Sequence, residues 1–180
     1  MPLGPAAVAA DEMRLKAILD WLDRHDIDYR RVDHPAVYTC EEADRLVPPL
    51  PGAHTKNLFV RDRRGRRHFL VVVGWEHQVD LKELGRILGV SKLGMASPER
   101  LWERLGVDPG AVTLLAVIND EEKVVEVVID AQVWAAQDLQ CHPLVNTSTL
   151  SIPRRGVEKL LQLLKQPYRI VDVPRRALAP

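Results

Sequence analysis

The sequence predicts an α/β fold, a mixed and mainly antiparallel sheet flanked by helices, and three observations carry that expectation. NLFVRD and RRHFLVVV flank Gly65 as the arms of a hairpin, the second apolar enough to be buried on both faces. AVTLLAVIND and EEKVVEVVID, rich in β-branched residues, form a second expected hairpin across Asn119 to Glu122. Helical stretches with their own start and stop signals are interleaved with these hairpins, the pattern of a mixed sheet with helices packed on it.

In chain order, residues 1–10 are rich in Pro, Gly and Ala and are expected to be a flexible tail. From Asp11, a candidate N-cap, Met13, Leu15, Ile18, Leu19, Trp21 and Leu22 recur at helical spacing up to about His25. DYRRVDHP reads as a strand stopped by Pro35, and Thr39 with Glu42 has the spacing of a capping box opening a short helix to about Val47. PPLPG then breaks the chain into a loop that delivers HTKNLFV and the first hairpin. Asp80 caps a helix closed by Gly89, a short strand covers Lys92 to Ala96, and Ser97-Pro98 opens a helix that stops at Gly106.

After the second hairpin, AQVWAAQ is a brief turn, LQCHPL a strand, and NTSTLSIPR a polar segment leading into a last helix from about Pro153 to Lys165. YRIVDV is a final strand and residues 174–180 a loose tail, leaving one domain over residues 11–173. No internal repeat or low-complexity segment appears. A chain of 180 residues is long enough for one well-buried core and short for two.

Composition narrows the function classes. With 46% hydrophobic and 28% charged residues the chain is an ordinary globular sequence, not a disordered or fibrous one. Its longest apolar runs, FLVVVG and VTLLAVI, fall far short of the roughly 20 residues of a membrane span, and the N-terminus lacks the basic and apolar regions of a secretory signal. Two cysteines, Cys40 and Cys141, without a C-x-x-C pair indicate neither a disulfide framework nor a zinc site, so no metal or cofactor is expected and the location is read as cytoplasmic. Lys plus Arg and Asp plus Glu balance at 25 each, which leaves nucleic-acid binding to local patches. The densest patch is RDRRGRR, with Arg63 and Arg64 at its centre; it is either a solvated hairpin tip or a phosphate contact.

Several side chains admit two readings from type and position alone. Lys56 is a surface lysine at a strand's start, or a compact cation suited to phosphate or developing negative charge. Asn57 is a turn cap, or a donor and acceptor for a ribose hydroxyl or an ester carbonyl. His142 is a half-buried, satisfied histidine, or one that binds substrate or orients water; it has no evident carboxylate partner and is not assigned as a general base. Thr147, Ser148 and Thr149 place hydroxyls on a pocket wall or along a strand edge, and Trp75 is a stacking surface or a rim aromatic. His54 reads as loop scaffolding, and neither cysteine sits in a nucleophile motif.

HTKNLF after a Pro-rich loop, SPERL opening a helix, LGVDPGAVT before a buried segment, VIND, and HPLVNTST occur in this order. Together they resemble the superfamily of the prolyl-tRNA synthetase editing (insertion) domain, the YbaK-like fold, and more closely its freestanding branch that hydrolyses alanyl-tRNA(Pro). The resemblance runs from about Asp11 to Val173. It implies a trans-editing aminoacyl-tRNA deacylase, with the acceptor end of tRNA(Pro) as partner, prolyl-tRNA synthetase as a further one, and neither DNA nor membrane. The hallmark lysine of the family falls on Lys56 with Asn57 beside it, and the histidine of its H-P-L-x-N-T segment on His142. The glycine of its G-x-x-x-P loop, which approaches the terminal adenosine, falls on Gly110, followed by Ala111, Val112 and Thr113 as further substrate-binding candidates with Thr147. Leu114 stands where the family has proline and Leu115 where it often has an aromatic, which prompts one alternative, a deacylase for another small residue (serine, cysteine or 2-aminobutyrate); a separate rival is a noncatalytic tRNA-binding module of the same fold.

Overall fold

The computed structural model describes residues 5–177, and its first helix, α1 (Pro5–Arg24), begins before the expected N-cap. Ala6, Ala7, Ala9 and Ala10 are the strongest helix formers, and Pro5 is tolerated in a first turn, where its missing N–H has no partner to lose. Residues 5–10, expected as a tail, are therefore helical, and Asp11 lies inside the helix, paired with Arg14. The rest of the expected tail, residues 1–4, lies outside the described residues.

The expected strand in DYRRVDHP is β1 (Arg30–Asp33). Helix α2 (Cys40–Leu46) carries the full capping box: Thr39 accepts from the Glu42 N–H while Glu42 accepts from the Thr39 N–H. The first hairpin is β2 (Thr55–Asp62) and β3 (His68–Gly74), antiparallel from Thr55 opposite Gly74 to Arg61 opposite His68, with Gly65 at positive φ in the turn. Helix α3 (Leu81–Leu88), strand β4 (Leu93–Met95) and helix α4 (Pro98–Leu105) follow with the expected Asp80 and Ser97 caps and the Gly89 and Gly106 stops.

The second hairpin does not form. Leu114–Asn119 is a 3-10 helix, its first turn capped by the Thr113 hydroxyl accepting from the Leu115 N–H. Leu114, Leu115, Ala116 and Val117 are all fully buried, and a short run that is apolar on every side carries no period to separate a buried strand from a buried helix. Asp120 then turns the chain by accepting from the Val124 and Val125 N–H groups, and β5 (Val125–Asp130) lies parallel to β3 rather than antiparallel to its predecessor.

A single helical turn, α5 (Ala131–Trp134), leads to β6 (Asp138–Cys141). The segment expected only as a polar lead-in contains β7 (Ser148–Pro153), the middle strand of a three-stranded antiparallel sheet ordered β1-β7-β6. Its buried hydroxyls are satisfied one by one: Ser148 donates to the Val32 carbonyl, Ser151 to the Pro51 carbonyl, and Thr149 to His34. Helix α6 (Arg154–Leu163) and strand β8 (Tyr168–Val171) complete a five-stranded sheet ordered β4-β2-β3-β5-β8, with β5 and β8 parallel. The pairings are thus mixed and mainly antiparallel as expected, but divided between two sheets.

Both faces of β3 are covered. Phe69, Val71 and Val73 pack with Val60, Leu84 and Leu88 beneath α3, while Leu70 and Val72 join Phe59, Leu139, Leu150, Val157 and Leu160 between the two sheets and α6. Full burial stabilises each such side chain by roughly 1.5 to 3 kcal/mol, so β2 starts from a rigid base. The expected C-terminal tail is held at first: the Asp80 N–H donates to the Pro174 carbonyl and the Arg176 N–H to the Gln78 carbonyl, and residues 178–180 lie outside the described residues. No helix among the described residues is long and apolar enough to cross a membrane.

Candidate functional site

The Pro-rich loop enters β2 alongside β6. Ala53 bridges Leu139 in parallel, and the Thr55 hydroxyl donates to the Gln140 carbonyl at 2.6 Å, tying the start of β2 to the smaller sheet. On its other side β2 meets β4 only at Val60–Asp62, so Thr55, Lys56 and Asn57 border open space. That space is a cleft of about 290 Å³, closed by Ala43 of α2 and Val47 just after it, by β6 and β7 through Gln140 and Thr149, and by the 3-10 turn Pro109–Ala111.

The cleft brings together Lys56, Asn57, Gly110, Val112 and His142 from three separated segments. Strand alternation sends Lys56 and Asn57 to opposite faces of β2, yet both line it because that stretch is an edge. Among the described residues Lys56 makes no ion pair, is the one lysine or arginine lining the cleft, and has no carboxylate beside it in the lining. The Asn57 Oδ1 is buried without a hydrogen-bond partner.

His142 donates from Nδ1 to the Ser148 carbonyl at 3.1 Å, which leaves the Nε2 lone pair uncommitted. Burial, with smaller contributions from His34 and His54, holds its pKa below the ordinary 6.5, so the ring is neutral near pH 7. Behind it, His34 donates from Nδ1 to the Pro35 carbonyl and accepts at Nε2 from the Thr149 hydroxyl at 2.8 Å. This chain turns the Thr149 oxygen lone pairs away from His34. Sequence reasoning missed His34 altogether; its one signal was the His-Pro pair ending β1.

Gly110 fits its place closely. A Cβ there would lie 3.1 Å from Asn146 Nδ2 and 3.2 Å from the ring of Tyr38, which lines the cleft. Of the residues after it, Val112 lines the cleft, whereas Ala111 and Thr113 are buried in or beside the core, and Thr113 serves as the cap described above. Leu114 is fully buried in the core and does not line the cleft. It occupies the first position of its 3-10 helix, where proline also fits, and the Thr113 cap holds the turn in proline's place. Thr147 lies outside the lining, its carbonyl accepting from the His34 N–H.

Arg63 and Arg64 are exposed at the far end of the hairpin, about 20 Å from Lys56 at the strand rise of roughly 3.3 Å per residue. Within the same patch Arg67 is committed, gripping Glu126 through two bonds of 2.7 and 2.8 Å. Trp75 and His54 line the cleft together with ring centroids 5.0 Å apart. Tyr38, 68% exposed, and buried Gln140 also line it, and neither was singled out from sequence. Cys141 borders the cleft, but burial pushes its thiol up to about 12, which leaves no thiolate for nucleophilic attack at neutral pH.

The profile of the aminoacyl-tRNA editing domain family matches residues 34–160. A relative from Acetoanaerobium sticklandii, named prolyl-tRNA editing protein ProX, is 34% identical over 88% of this chain and 96% of its own. A relative from Danio rerio, named prolyl-tRNA synthetase associated domain-containing protein 1, is 37% identical over 88% of this chain and 86% of its own. The fold is similar to a crystal structure reported as that of a candidate trans-editing enzyme for prolyl-tRNA synthetase, with a TM-score of 0.63, 18% identity, and 98% and 100% of the two chains covered.

Proposed function

The chain belongs to the aminoacyl-tRNA editing domain family, and from that premise we propose that it is a freestanding deacylase acting in trans on tRNA(Pro) mischarged with alanine, hydrolysing the alanyl ester and sparing prolyl-tRNA(Pro). The observation that carries this reading is the cleft itself, which gathers Lys56, Asn57, Gly110 and His142 around a volume of about 290 Å³. The name of the bacterial relative supports tRNA(Pro) as the carrier.

A synthetase site built for proline rejects a smaller amino acid weakly, since each missing methylene is worth only about 1 to 3 kcal/mol, so a second and smaller site must discriminate. The cleft lies at the lower end of the size range of small-ligand sites, which suits an alanyl group on a terminal ribose. The substrate is an activated ester, so positioning and charge stabilisation do most of the work. In this reading Lys56 neutralises the terminal phosphate or the developing oxyanion, and Asn57 donates to the ester or ribose. The His142 Nε2 accepts a proton-side contact from water or a substrate hydroxyl. Water adds to the carbonyl carbon, the bond to the ribose oxygen breaks, that oxygen takes the proton, and free alanine leaves. Arg63 and Arg64, about 20 Å out along the hairpin, contact the duplex of the acceptor arm.

The test is a panel of tRNAs charged with alanine, proline, serine, cysteine and 2-aminobutyrate. Alanine is expected to be released fastest and proline spared; preference for another small residue would reassign the substrate, and inertness toward all of them would leave a noncatalytic binding module.

A further inference from the structure

Helix α4 and the β2–β3 hairpin meet in a group of positive charges that the cleft does not use. Strand alternation turns Asn57, Phe59 and Arg61 to one face of β2, and His68 stands opposite Arg61 on that face, stacked on the Phe59 ring with centroids 5.6 Å apart. Helix α4 covers the same face, since its Leu101 and Leu105 pack in the core that holds Phe59. Arg100 and Arg104 lie one turn apart on α4 and so share a side of it. Arg61 is about 17 Å from Lys56 along β2, at roughly 3.3 Å per residue.

Arg100 is clamped to the hairpin. Its Nη1 donates to the Gly65 carbonyl at 3.3 Å and to His68 Nε2 at 3.2 Å, and because a guanidinium only donates, the ring accepts there and is neutral. Gly65 lies so close that a Cβ on it would come within 2.9 Å of the Arg100 Nη2. The clamp ties the turn that carries exposed Arg63, Arg64 and Arg66 to α4. Burial and the charges of Arg104 and Arg100 hold the His68 pKa below the ordinary 6.5, against the opposing pull of Asp62 and Glu103. Asp62 is spent on the Arg66 and Arg67 N–H groups. Among the described residues Arg61, Arg100 and Arg104 make no ion pair, and the Arg104 Nε is buried without a hydrogen-bond partner. Like charges one helical turn apart repel, and a buried donor without a partner is costly. A ligand that is anionic and rich in acceptors answers both.

Resting on the tRNA reading above, we propose that Arg104, with Arg61 and Arg100, forms a phosphate site at the junction of α4 and the hairpin, and that it takes backbone phosphates of the acceptor arm whose 3′ end lies in the cleft. Guanidinium forks match the paired oxygens of a phosphate. Continuity with the exposed arginines of the turn favours a polyanion over a lone anion. Phosphate contacts carry no information about the amino acid, so the site contributes affinity to charged and uncharged RNA alike.

The experiment measures binding of the full chain to an uncharged acceptor-arm stem-loop of tRNA(Pro) across a salt series. Arg104→Gln and Arg61→Gln are each expected to weaken binding by about threefold or more at low salt and to lower the slope of log affinity against log salt by about one. Arg86→Gln, which removes an exposed arginine from α3 on the opposite face of the sheet, is expected to change neither. An unchanged slope in Arg104→Gln would overturn the inference, and an equal loss in Arg86→Gln would reduce the effect to net charge and overturn it too. So would a rise in Tm with inorganic phosphate that Arg104→Gln removes while RNA binding stays the same, since that assigns the cluster to a lone anion. Should Arg104→Gln fail to fold, Arg61→Gln decides. Because the RNA is uncharged, hydrolysis does not enter: inertness toward every mischarged tRNA would remove the deacylase reading and leave this site standing. Failure of the natural chain to bind the stem-loop would overturn the site and leave hydrolysis to its own panel.

Discussion

Replacing Thr149 with valine exchanges a hydroxyl for a methyl group in a side chain of nearly the same shape. Thr149 is 6% exposed and His34 8% exposed, and the 2.8 Å bond between them satisfies the His34 Nε2. The variant opens no cavity, so its cost is that of a buried ring nitrogen left without a donor, about 1 to 3 kcal/mol. For a chain of 180 residues, with about 2 to 4 °C of Tm per kcal/mol, a loss near 2 kcal/mol lowers Tm by about 4 to 8 °C. The assay is thermal and urea unfolding at neutral pH of the natural chain, Thr149→Val, His34→Leu and the double variant. Because removing both partners spares the desolvation penalty of an orphaned one, His34→Leu should cost about 1 to 2 kcal/mol less in the valine background than alone. An unchanged Tm in Thr149→Val, or strictly additive losses, would refute the claim that this bond anchors the cleft wall.

Three further outcomes are expected. Lys56→Ala should abolish most hydrolysis while leaving Tm within about 1 °C, because Lys56 makes no ion pair among the described residues; retained turnover would remove it from the mechanism. Since burial depresses the His142 pKa, activity should be level above 6.5 and fall only as pH drops below it, when the ring gains a proton and loses its acceptor. The same shift makes the unfolded chain bind the proton first, so the associated stability is full above 6.5 and is lost as pH falls toward the lower folded value; a kcat/KM profile and melts from about pH 5 to about pH 8 check both. Arg63→Ala with Arg64→Ala should weaken tRNA binding and flatten its salt dependence by about one to two logarithmic units of slope, and an unchanged slope would return the hairpin tip to plain solvation.

Much of the fold was legible because its signals are local. The Thr39–Glu42 box, the Asp80 and Ser97 caps, Gly65, Gly89 and Gly106 each act within a few residues, and each stands where it was read. Leu114–Asn119 was misread because a segment buried on every side shows no period, and β7 because its serines and threonines look solvated until their partners at Val32, His34 and Pro51 are known. The α1 start was missed because alanines read as a featureless tail when they are the best helix formers.

The site divides along the same line. Lys56, Asn57, Gly110 and His142 are each named by short motifs whose order survives in the chain, so sequence alone singled them out. That they share one cleft, while Ala111, Thr113 and Thr147 lie outside it and Arg63 and Arg64 are about 20 Å away, depends on which strands pair and which edges stay open. Gln140 and His34 belong to the tertiary structure alone. Their meaning rests on hydrogen bonds to Leu50 and Thr149, 90 and 115 residues away, and a linear pattern carries no record of such distant partners.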